Sequence, residues 1–210
     1  MRGLADPDSK IYALLNKAIL LAELNLYVIL CCLPVVTAGA ALCSMHTVLL
    51  KIYRGEEKRV AGDFFRAMKS NLKNGTILWL LFLGYLGLLA GIGVSAMGRF
   101  PAGATAILCG LLLVAFFSAL YLNWAMILQS RYVYTIPQCL RNALLAWLRY
   151  PGSTFLYLVS MAIPVVFCFS LKTLPLILLG GTTMPHIIST MLYSRVFDEL
   201  EGIEPRLPEL

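Results

Sequence analysis

Apolar residues in this chain come in long runs that no charge interrupts. Residues 74–98, 100–130, 150–171 and 173–194 contain no Asp, Glu, Lys or Arg. Each run is long enough to cross a bilayer core of about 30 Å. Residues 18–50 form a fifth run, broken only by Glu23. As a single helix it would be about 50 Å long, too long for one upright span. Pro34 followed by Thr37-Ala38-Gly39-Ala40 offers a break in the middle. The pattern therefore predicts six transmembrane helices, at about 11–33, 36–54, 76–98, 103–130, 153–171 and 174–195. They group as three hairpins, 11–54, 76–130 and 153–195. The fold class is all-α, a polytopic membrane helix bundle in one integral membrane domain, 1–210.

Two stretches between the spans keep a helical period with a polar face. In 60–74, Phe64, Met68 and Leu72 share one side with Phe65 beside them, and Arg66, Lys69, Ser70 and Lys73 take the other. In 136–150, Leu140, Leu144, Trp147 and Leu148 line one side, with Gln138, Arg141, Asn142 and Arg149 away from it. Thr135 and Pro137 make a helix start. Both read as amphipathic helices lying on the cytoplasmic-side membrane surface. Polar pairs such as Ser130-Arg131 and Ser194-Arg195 read as span ends, and Leu72-Lys73-Asn74-Gly75-Thr76 loosely matches Leu148 to Ser153. The match suggests parallel repetition of hairpins; an inverted repeat is the commoner mark of secondary transporters.

Charge orients this threading. Of 17 Lys and Arg residues, all but Arg99 and Lys172 fall in the N-terminal segment, in the loops 51–73 and 131–149, or in the tail. That asymmetry places both termini in the cytoplasm. It also accounts for the net charge of +6 as a topology signal, so no nucleic-acid partner is expected. Hydrophobic residues are 60% of the chain and charged residues 13%, against about 25% charged in soluble domains. This excludes most soluble enzymes and nucleic-acid-binding modules. Ala38-Gly39-Ala40 mimics a signal-peptide cleavage site, but Asp6, Asp8 and the length of the apolar run argue against cleavage. The six cysteines contain no C-x-x-C pair and read as small packing residues.

Polar groups inside spans are costly and therefore informative. Here they are Glu23, Asn25, His46, Asn123 and His186. Glu23 and Asn25 point to different sides of a helix. The two histidines have no local partner at ligand spacing, so helix–helix hydrogen bonding is expected of them, not metal or haem. Pro164, Pro175, Gly180-Gly181 and Pro185 interrupt 150–195, as either kinks or a broken-helix substrate site. No H-E-x-x-H, G-x-S-x-G or P-loop occurs. The expectation is therefore no enzyme and no cofactor.

The run from Leu24 to Ala41, containing Leu33-Pro34-Val35-Val36-Thr37-Ala38-Gly39-Ala40, resembles the first hairpin of the YesL family of bacterial membrane proteins. So do Leu50-Lys51-Ile52-Tyr53-Arg54-Gly55, Asp63-Phe64-Phe65-Arg66 and Asn71-Leu72-Lys73. The resemblance is sharpest over 18–80 and implies structural importance for Pro34, Gly39, Asp63, Phe64 and Phe65. The family has no established catalytic residues. Its genes often neighbour sugar ABC importers, which implies an accessory role in carbohydrate uptake with importer permease subunits and the lipid bilayer as partners. The alternative is a stand-alone small-solute transporter or channel, motivated by Glu23 and the intramembrane Asn and His residues. A third class, an intramembrane enzyme, has no positive support.

Overall fold

The computed structural model describes residues 10–56, 59–155 and 183–201. These residues are helical, without strands. The helices are α1 (Lys10–Cys32), α2 (Ala38–Arg54), α3 (Val60–Arg99), α4 (Ala104–Arg131), α5 (Ile136–Arg149) and α6 (Thr183–Glu201), and residues 151–155 are also helical. Four helical segments are long and apolar enough to cross a membrane: Leu14–Cys32, Val35–Arg54, Val60–Arg99 and Pro101–Arg131. The expected span 153–171, the first part of 174–195, and the breaks at Pro164, Pro175 and Gly180-Gly181 lie outside the described residues.

The break at Pro34 is where the sequence puts it. Pro34 precedes a 3₁₀ turn, Val35–Thr37. The Thr37 hydroxyl closes it, donating to the carbonyls of Cys31 at 2.8 Å and Pro34 at 3.0 Å. α1 and α2 thus form an antiparallel hairpin. α2 becomes the central helix: Cys43 and Leu50 join one core cluster, and Met45, Val48, Leu49 and Ile52 join another with Leu21, Leu24 and Phe64.

The expected surface helix 60–74 and span 76–98 are instead one continuous helix, α3, of 40 residues. Gly75 does not end a helix; it lets two helices touch. A Cβ on Gly39 would overlap the Gly75 carbonyl and the Trp79 Cβ, and one on Gly75 would come within 3.0 Å of the Ala40 Cα. α3 runs unbroken through Asn74-Gly75-Thr76 at this close approach. The contact also fixes the register of α3 against α2. Lys51 Nζ donates to Asp63 Oδ1 at 2.6 Å near one end, Gly39 meets Gly75 near the other, and Trp79 Nε1 donates to the Val35 carbonyl at 2.8 Å. The near part of α3, residues 60–79, therefore runs antiparallel along the whole of α2. The far part continues past the α1–α2 turn and pairs with the first half of α4. There, a Cβ on Gly93 would overlap Leu111 Cδ1, and Ser118 Oγ donates to Tyr85 Oη at 3.2 Å.

α5 begins as expected, with Pro137 in its first turn. The Thr135 amide and hydroxyl both donate to Gln138 Oε1, at 3.3 and 2.9 Å. Its inner side packs on α4 through Cys139, whose thiol donates to the Ala125 carbonyl. Ser194-Arg195 does not stop the last helix, which runs on to Glu201. The extension is held by ion pairs to arginines on other helices: Asp198 with Arg54, Glu199 with Arg149 and Glu201 with Arg131.

Candidate functional site

The polar residues singled out in the sequence do not all converge. Glu23 is half-buried and accepts a hydrogen bond from Tyr27 Oη at 3.0 Å, one turn along its own helix. Asn25 points the other way, fully buried, as the helical angle between them requires. His46, Asn123 and His186 do come together, from three helices. The rings of His46 and His186 lie edge to face with centroids 5.8 Å apart, and the Asn123 side chain hydrogen-bonds His46.

Around them stand Ser189, Thr190 and Tyr193, all buried, which the sequence reading passed over. A signal for two of them was present. His186, Thr190 and Tyr193 follow at i, i+4 and i+7, one polar stripe on a helix that faces its neighbours.

The hydrogen bonds form a chain with one allowed direction. Thr190 Oγ1 lies 2.8 Å from the His186 carbonyl, and a carbonyl only accepts, so the threonine proton goes there. Tyr193 Oη, 2.7 Å from Thr190 Oγ1, must then donate to it. His46 Nδ1, 3.1 Å from Tyr193 Oη, is left as the donor to the tyrosine oxygen. Neutral His46 therefore carries its proton on Nδ1, and Nε2 keeps the lone pair.

Next to this chain is a small cavity of about 10 Å³, lined in part by Asn123, Trp124, Ser153, Thr154, Ser189 and Tyr193. That is room for about one water. Trp124 Nε1 donates to Thr154 Oγ1 at 2.8 Å, and Thr154 in turn donates to the Tyr150 carbonyl. Among the described residues no three His, Cys, Asp or Glu side chains converge on a metal position. The geometry supports hydrogen-bonded proton sharing and helix locking.

The structural motif residues have clear roles. Asp63 is buried and paired with Lys51. Phe64 is fully buried and stacks on Tyr27 with ring centroids 6.0 Å apart. Phe65 is exposed but also touches the Tyr27 ring, at 5.6 Å. The five described cysteines are free thiols.

A second polar assembly sits at the ends of α2, α4 and α6. Arg131 Nε and Nη2 donate to the two oxygens of Glu201 at 3.1 and 3.0 Å, and Tyr132 Oη donates to Glu201 Oε1 at 2.9 Å. The Arg131 hydrogen bonds hold the Glu201 carboxyl below its ordinary range. Burial, and then the Glu201 carboxylate, push the Tyr132 phenol up.

Comparison with known proteins reaches only part of this arrangement. No curated protein and no solved structure matches the chain. Residues 21–91, from α1 through the α2–α3 contact into the far half of α3, match the family described as protein of unknown function, DUF624.

Proposed function

We propose that this chain is a YesL-type multi-pass protein of the bacterial cytoplasmic membrane, both termini cytoplasmic, that serves as an accessory subunit of a carbohydrate ABC importer. The observation that carries the reading is an apolar stripe on α1. Leu15, Ile19, Leu26 and Leu30 recur at steps of four, seven and four, and all are exposed. Such a stripe fits a partner helix. Among the described residues, the cavity beside the histidines, about 10 Å³, has no room for a sugar. The absence of a P-loop supports dependence on a partner for ATP-driven work, and the sugar specificity comes from the family resemblance.

The test is to tag the chain, solubilise native membranes in mild detergent and identify what co-purifies. Recovery with a stoichiometric ABC permease, lost when Ile19 and Leu26 become Asp, supports the reading. Recovery alone, with unchanged sugar uptake in the deletion strain, overturns it. A stand-alone transporter or channel is the second reading, favoured by the hydrogen-bond chain from His46 to the His186 carbonyl. It requires flux in liposomes that Glu23→Gln or His46→Gln alters.

A further inference from the structure

We propose that one boundary of the bilayer passes through the level of Trp79, Tyr121 and Trp147. Of α2, α3 and α4, only the far halves of the last two, about 80–99 and 104–123, then cross the hydrocarbon core. α2 and the near half of α3 stand outside it on the basic side. This replaces the six-span threading for α2, which there crosses the membrane at about 36–54.

The argument begins with length. α3 has 40 residues and is about 60 Å long, twice the hydrocarbon thickness. Even a tilt of about 40° leaves roughly 46 Å along the membrane normal. Only half of α3 fits, and its halves are unlike. The near half exposes Arg66, Lys69, Ser70 and Lys73, with the Arg66 side chain 80% exposed. Residues 74–98 carry no charge. Lipid-facing cations at the bilayer centre are costly, so the far half is the one that crosses.

The register then decides where α2 lies. Lys51 with Asp63, Gly39 with Gly75, and Val35 with Trp79 tie α2 to the near half from end to end. α2 cannot be at the bilayer centre unless Arg66 and Lys69 are there with it. The apolar character of α2 needs no lipid, because 12 of its 17 residues are buried among other helices. The far halves have no such cover. Leu80, Leu88, Ile92 and Val94 on α3, and Leu108, Leu112 and Leu113 on α4, are exposed.

Aromatic residues mark the boundary. Trp79, Tyr121 and Trp147 are partly buried at the edge of one core cluster. Tyr121 Oη donates to the Leu140 carbonyl of α5 at 2.8 Å, and Trp147 meets Phe117 at 6.2 Å. Such rings favour the headgroup level. From there, 20 residues of helix reach Arg99 at about 30 Å. Arg99 is also the one described Lys or Arg at the far end. The α1–α2 turn, with Leu33, Val35 and Val36 exposed, reaches the boundary and goes no further.

Side-specific cysteine labelling of the full chain in sealed vesicles tests this. All native cysteines are replaced, and Val36→Cys, Lys69→Cys or Ala102→Cys is introduced singly at exposed positions. A membrane-impermeant maleimide is added from either side. The proposal expects Ala102→Cys to react from the far side only, Lys69→Cys from the near side only, and Val36→Cys not from the far side. Far-side reaction of Val36→Cys overturns it, as does protection of Ala102→Cys from the far side or of Lys69→Cys from both. None of these readouts depends on an importer partner, so the boundary and the accessory role stand or fall separately.

Discussion

The pair Arg54–Asp198 is the sharpest place to test the energetics of this fold. Arg54 Nη2 lies 2.6 Å from Asp198 Oδ1, and the side chains are only 8% and 4% exposed. With charge centres about 4 Å apart and an effective dielectric near 20, the attraction is about 4 kcal/mol. Much of it offsets desolvation, so the pair as a whole contributes less. Removing one partner is different, because the other charge stays buried and unmatched. Asp198→Asn should therefore destabilise by about 3–5 kcal/mol, roughly two to nearly four orders of magnitude in the unfolding equilibrium. Replacing both, as Arg54→Met with Asp198→Met, should recover most of that loss. The assay is equilibrium unfolding in mixed micelles, read by tryptophan fluorescence. A single-variant cost below about 1 kcal/mol, the value for a solvated surface pair, would refute the reasoning. So would a double variant no more stable than the single.

Three further expectations follow from the same geometry. Gly39→Ala should cost about 1–3 kcal/mol by forcing α2 and α3 apart, while Gly91→Ala, where a Cβ meets open space, should be neutral or gain up to about 1 kcal/mol; thermal unfolding of both variants separates them. The Glu201 carboxyl, lowered first by its Arg131 hydrogen bonds, adds stability that is present above the unfolded pKa near 4.5 and lost as pH falls through the folded value. The Tyr132 phenol, raised by burial and Glu201, adds stability present below pH 10.0 and lost above it; Glu201→Gln should flatten the acid limb of a Tm–pH profile. Nitrogen-15 NMR should find neutral His46 protonated on Nδ1, reverting to Nε2 in Tyr193→Phe, and an Nε2 proton in the parent chain would break the assigned hydrogen-bond direction.

What the sequence made legible was local. Pro34 and Thr37 spell out a turn whose hydrogen bonds stay within six residues. Thr135, Pro137 and Gln138 spell out a helix start in the same way. Gly75 was opaque because a glycine flanked by Asn and Thr has the composition of a loop. Only the Ala40 backbone, 3.0 Å from its would-be Cβ, reveals it as a contact. The polar cluster was opaque for a related reason: His46 and Tyr193 are 147 residues apart, and nothing local ties them. Ser194-Arg195 looked like an end because the acids that anchor the extension find their arginines on other helices.

That extension bears on the order in which the molecule is made. Asp198, Glu199 and Glu201 lie in the last turn of α6, where backbone carbonyls already make the helix end negative. On its own, this helix terminus repels its own side chains. Arg54, Arg149 and Arg131 relieve the repulsion, one from each of three earlier helices. Synthesis runs from the N-terminus, so all three arginines leave the ribosome before the acids that match them. α6 thus acts as a keystone. Its final turn is matched in charge only when those three helices are in place, and a chain truncated before Asp198 leaves buried Arg54 without the Asp198 carboxylate.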